Sequence, residues 1–93
     1  MVQNCAICFM QIKENVSADD MKAFWAGHDA VAKENNIKVL FAGAVFGPLE
    51  DVVGVYELDV NLEAWYKFRM ALGSVKPSVV AHTRTHFVRK RQA

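Results

Sequence analysis

Apolar and polar positions along the chain switch between two kinds of pattern. Cys5 to Lys13 is a nearly continuous apolar run with no helical period and is too short for a helix, so it reads as a strand. Ile7 and Phe9 fall on one face, and Ala6, Cys8, Met10 and Ile12 on the other. Ser17 then offers an N-cap, with Asp20 three residues on in the place of the capping-box acid. From there to about Glu34, Met21, Phe24, Trp25, His28, Val31 and Ala32 recur at helical steps as one apolar stripe. Asn35-Asn36 closes this helix, because Asn tolerates the left-handed conformation.

Ile37 to Phe46 is a second two-sided apolar strand, in which Gly43 marks a bulge or a close approach. A turn over Gly47-Pro48-Leu49-Glu50-Asp51 leads to a third strand, Val52 to Leu58, and the spacing predicts a hairpin. Asn61 is the expected cap of a second helix, on which Leu62, Trp65, Phe68, Arg69 and Leu72 keep the helical period and Gly73 marks the end. The last strand, Val79 to Val88, alternates: Val80, His82, Arg84, His86 and Val88 lie on one face, Val79, Ala81, Thr83, Thr85 and Phe87 on the other.

The order strand, helix, strand, strand, helix, strand predicts an α+β, ferredoxin-like fold. Right-handed crossovers put both helices on one face of a four-stranded antiparallel sheet with strand order 4-1-3-2. A conflict follows. The first two strands are apolar on both faces, yet the helices cover only one. The uncovered face would expose an apolar patch that monomers rarely tolerate, so a second copy packed sheet to sheet is expected. The chain of 93 residues then forms one dimeric domain, with its core at about 5–89 and a basic tail at 90–93.

Composition adds exclusions. An apolar fraction of 53% against 23% charged places the chain among folded proteins. A net charge of +1 gives no global field toward nucleic acid or membrane. The apolar runs are too short to span a bilayer. Met1-Val2-Gln3-Asn4 has no basic region ahead of an apolar one, so no signal peptide is read and a cytoplasmic location is expected. Cys5 and Cys8 form a C-x-x-C, but a strand points residues three apart to opposite faces. Two reduced, packed thiols therefore fit better than a redox pair or half a zinc site.

Element order and two-sided strands, from Cys5 to Arg89, resemble the dimeric α+β barrel superfamily. Within it, Leu40-Phe41-Ala42-Gly43-Ala44 followed by Gly47-Pro48, after a helix carrying His28, looks similar to the small YciI-like proteins. The resemblance implies a small-molecule pocket between helices and sheet, lined by the first helix. That superfamily spans monooxygenases, isomerases, haem-binding members and regulators, so it implies no single chemistry.

His28 is the leading acid or base, since a neutral imidazole works near neutral pH. The competing reading is a buried histidine hydrogen-bonded at the helix–sheet boundary. Asp29 points about a quarter turn away, so no His28–Asp29 dyad is expected. His82 and His86 lie ~13 Å apart along their strand, too far to share a metal ion. Arg84 between them is suited to a carboxylate or phosphate, against the alternative of a polar edge-strand face. Trp25, Tyr56 and Trp65 are pocket-lining candidates, although aromatics at such spacing also serve as core. No cofactor or metal is expected. An RNA-recognition role would need exposed aromatics on the central strands, which Val52 to Leu58 does not supply. Three readings remain: a homodimer binding a small, partly apolar molecule, a cofactor-independent monooxygenase or isomerase with His28 as acid/base, or a purely structural assembly module with no ligand.

Overall fold

β1 (Asn4–Ile12) is the strand that both halves of the molecule pair with. In the computed structural model, which describes residues 4–58 and 62–91, β1 runs antiparallel to β4 (Val80–Arg89) on one side and to β3 (Val52–Glu57) on the other. β2 (Val39–Ala44) adds beyond β3, giving the order β2-β3-β1-β4. α1 (Ala18–Glu34) and α2 (Leu62–Gly73) complete the ferredoxin-like architecture that the element order implies.

The two parities of β1 have different fates. Ala6, Cys8 and Met10 are fully buried and face the helices, with Val52 and Tyr56 of β3. From α1, Phe24, His28 and Ala32 close over them; from α2, Trp65, Phe68 and Leu72 do the same. Cys5, Ile7 and Phe9 point to the opposite, open face and are only half-buried. The thiols of Cys5 and Cys8 therefore diverge, and both are free.

Local chemistry sets the boundaries. Ser17 Oγ accepts the Asp20 amide at 3.0 Å, as the N-cap pattern predicts. Asn36 sits at φ 55°, and the Ile37 amide returns to the Ala32 carbonyl at 2.8 Å, stopping α1. Gly73 ends α2 without a positive φ, so the expected left-handed cap is replaced. The Ser74 and Val75 amides bond the Ala71 and Leu72 carbonyls at 3.0 and 3.1 Å, tightening the last turn. Asn61, the expected cap of α2, lies outside the described residues.

β2 is shorter than the sequence predicts, because the chain leaves the sheet after Ala44. There the Val45 amide bonds the Asp51 carbonyl at 2.9 Å. Asp51 in turn gives its amide to the Met10 carbonyl at 2.9 Å and accepts the Ile12 amide on its carboxylate at 2.8 Å. The β2–β3 turn is thus tied to the end of β1. The bulge of β2 falls at Leu40, between Val39 and Phe41. Gly43 marks a close approach instead: a Cβ there would come to 3.2 Å from the Phe41 ring.

Gly54 has the stricter requirement. It precedes Tyr56 by two residues on the helix-facing side of β3, and the Tyr56 ring lies back along the strand over it. A Cβ at Gly54 would stand 2.6 Å from Tyr56 Cζ and would strike the phenol oxygen. Gly54→Ala should therefore lower stability by about 1–3 kcal/mol through overpacking, read as a lower urea midpoint at unchanged slope. Equal stability of the variant would show that Tyr56 moves aside freely.

Candidate functional site

His28 lies at the centre of a chain of three polar groups. Its backbone position on α1 aims the ring at the sheet, where Phe24, Trp25, Tyr56 and Phe68 surround it. The Trp25 ring is closest, edge-on at 4.9 Å between centroids. The imidazole is wholly buried, yet both nitrogens have partners. Nε2 meets the Tyr56 hydroxyl at 2.6 Å, and Nδ1 meets an Asp29 carboxylate oxygen at 2.9 Å. The angular offset of adjacent helix residues implies no His28–Asp29 pair, and here the structure corrects the expectation. Nε2 is the edge turned into the core, so Nδ1 lies toward the surface. The exposed Asp29 carboxylate folds back to it along the helix.

The tautomer that satisfies both contacts carries its proton on Nδ1, which donates to the Asp29 carboxylate. Nε2 of the neutral ring is then an acceptor, and the Tyr56 hydroxyl donates to it. Burial pushes the Tyr56 phenol well above the usual tyrosine range; the nearby Cys8 adds to this and the Arg69 guanidinium opposes it. Tyr56 is therefore a persistent neutral donor rather than a source of phenolate.

A second feature lies between the end of α2 and the start of β4. β4 carries an extra residue there: Gln11 pairs with His82 but Ile12 pairs with Val80, leaving Ala81 as a bulge. Beside the bulge opens a cleft of about 240 Å³ with an apolar floor that includes Met10, Phe24, Leu72 and Val79. Its polar edge is formed by Arg69, Ser78, His82 and Thr83. Arg69 Nη2 donates to Thr83 Oγ1 at 3.0 Å, which fixes the guanidinium against β4.

The site residues expected from sequence thus separate into three places. Trp25, His28, Tyr56 and Trp65 share one aromatic cluster under the helices; Tyr56 and Trp65 are 5.4 Å apart between centroids. Arg84 and His86 lie on the open face of the sheet, since they pair with Phe9 and Ile7. There Arg84 Nη2 already binds the Glu50 carboxylate at 2.6 Å, and its guanidinium lies 5.2 Å from the centre of the Phe9 ring. His86 meets the same ring edge-on at 6.1 Å. Among the sequence-picked residues, His82 alone reaches the cleft. Sequence reasoning missed Asp29, Arg69, Thr83 and Ser78. Arg69 had a signal, a cation inside the apolar stripe of α2; the others are recognisable only from their neighbours.

No family model and no curated protein matches the chain. Solved structures do match. The chain is similar to an uncharacterised NIPSNAP domain protein from Burkholderia xenovorans, with TM-score 0.68, 11% identity, and 95% of this chain and 94% of that one covered. It is similar to a dimeric ferredoxin-like protein of unknown function from Thermobifida fusca, with TM-score 0.67, 13% identity and 96% and 92% coverage. A dimeric protein of unknown function and ferredoxin-like fold from Bacteroides fragilis matches with TM-score 0.64, 13% identity and 97% and 100% coverage. At such identities the shared property is the ferredoxin-like fold. The finer YciI-like resemblance gains no support. No helix among the described residues is long and apolar enough to cross a membrane.

Tyr56→Phe removes the donor to Nε2 and should cost about 1–3 kcal/mol at neutral pH, the penalty of an unsatisfied buried acceptor. The pH dependence has a definite sign. Above pH 10 the phenol ionises in the unfolded chain but not in the folded one, so the unfolded state binds fewer protons and stability falls. Wild type should lose up to about 1.4 kcal/mol per pH unit more than Tyr56→Phe above that point. The measurement is denaturant unfolding of both proteins across alkaline pH. A difference between them that stays constant with pH would contradict the burial of an un-ionised phenol.

Proposed function

We propose that the protein is a homodimer that binds a small, partly apolar molecule in the cleft between α2 and β4. The observation that carries this reading is the cleft itself, an apolar floor bordered by a few convergent polar groups, which is how small-molecule sites are built. Its volume is below the ~300–1,000 Å³ of drug-sized sites, so the occupant is small.

The dimer is supported by the open face of the sheet. Ile7, Phe9, Val53, Val55 and Phe41 form a contiguous apolar surface there, with Phe41 61% exposed. Two proteins of the same fold are described as dimeric. A second copy packed on this face covers it and leaves the helix-side cleft open.

The enzyme reading has one observation in its favour, the Asp29–His28–Tyr56 chain, which resembles an acid–base relay. Against it stands the complete burial of His28, whose nitrogens are both committed. A catalytic base must reach the proton it takes. Neither the cleft nor the groove beside Arg84 is lined by His28. We therefore assign His28 to holding α1 on the sheet.

Two measurements test these statements. Titration of a fragment mixture into ¹⁵N-labelled protein should shift the amides of Val80, Ala81 and Thr83, and Ala81→Phe should abolish those shifts by filling the cleft. Shifts confined to other surfaces would refute the location. In light scattering, Phe41→Asp should convert the dimer to monomer. An unpaired charge at a buried interface costs several kcal/mol, raising Kd by about a hundredfold or more. A monomeric wild type would end the dimer proposal.

A further inference from the structure

The cleft is polar in one sense only. Its lining contains Arg69 and His82 but no Asp or Glu. Arg69 is half-buried at the cleft wall. One of its Nη2 hydrogens goes to Thr83, and among the described residues it has no carboxylate within ion-pair reach. The contrast with Arg84 is direct: that arginine, more exposed, is held by Glu50. A guanidinium partly withdrawn from water without a counter-charge is costly, and Arg69, part of the cleft wall, has N–H groups beyond the one bonded to Thr83. A second cation touches the cleft's polar edge. Lys13 Nζ donates to Ser78 Oγ at 3.1 Å, and Ser78 lines the cleft. The floor is apolar, with Met10, Phe24, Leu72 and Val79.

From this geometry we infer that the ligand is a small organic acid, its carboxylate held by the Arg69 fork and the Thr83 hydroxyl and its apolar body lying on the floor. The inference deepens the binding proposal above and rests on it. The fork matches a carboxylate with two parallel N–H···O bonds, which a neutral amide of the same shape cannot receive with equal strength. Lys13 adds to the attraction as an exposed, salt-screened charge. The apolar floor separates such an acid from a bare inorganic anion, which has nothing to bury there.

The test compares acids with their amides on the full chain. Hexanoate, benzoate and indole-3-acetate are titrated beside hexanamide, benzamide and indole-3-acetamide, with acetate as the charge lacking an apolar body. Binding is read from amide shifts of Val80 and Thr83 and from the Arg69 Nε–H resonance. At least one acid should bind about tenfold or more tighter than its amide, the worth of a charge-assisted hydrogen bond, and should move the Arg69 signal. Acetate should bind more weakly than that acid. Arg69→Gln should weaken the acid far more than its amide and so close the gap between the two. Acid and amide of equal affinity, or an Arg69 signal that does not move with the acid, overturn the anion assignment while leaving the cleft as a binding site. If no acid and no amide shifts the cleft amides at millimolar concentration, the binding proposal itself falls. The acid–amide comparison and the Arg69 resonance use the unaltered protein, so the test survives a variant that fails to fold.

Discussion

The hydrogen bond from Tyr56 to His28 is the contact on which the helix-facing half of the molecule depends. It joins a central strand to the middle of α1 inside a shell of aromatic rings. Each partner would be costly alone, because a buried polar atom without a bond forfeits its hydration for nothing. Together they satisfy each other, and Asp29 at the surface satisfies the last ring nitrogen. No buried side-chain polar atom among the described residues is left without a partner. The same bond dictates Gly54, since the phenol reaches His28 only by lying along its own strand where a side chain would otherwise stand. One polar contact thereby constrains three residues that carry no shared motif.

The sheet divides the chemistry of the chain between its faces. On the helix side, every buried side-chain polar atom among the described residues has a partner. On the open side, Arg84, His86 and Glu50 cluster around Phe9 at the rim of an apolar surface. The alternation of β4 makes this division unavoidable: Thr83 faces α2 while its neighbours His82 and Arg84 turn the other way. The bulge at Ala81 interrupts that alternation where the cleft opens, which is how His82 comes to border it.

The structural matches share the fold with almost none of the sequence. That is the expected behaviour of an architecture specified by two-sided strands and amphipathic helices rather than by particular residues. On that frame this chain places a sealed polar chain under α1 and, on α2, a guanidinium that meets no carboxylate among the described residues. The two differ in access: His28 is wholly buried, whereas Arg69 lines a cleft.

The sequence alone determined the elements and their order. Hydrophobic period, the Ser17 cap and the Asn35-Asn36 stop are local signals, and each reports local backbone geometry. It also placed apolar residues on both faces of β1. Which face of β4 meets the helices followed only from the register with β1, a non-local pairing shifted by one bulge. The site was less legible for the same reason. His28 stood out because a histidine in an apolar stripe is conspicuous, but its partners are an adjacent residue on the surface and one 28 positions away. Arg69 acquires meaning only beside Thr83, 14 positions on, and from the lack of a carboxylate against it among the described residues. Periodicity assigns a residue to a face; only the tertiary structure decides what stands opposite, and a charge is functional or structural according to what it meets there.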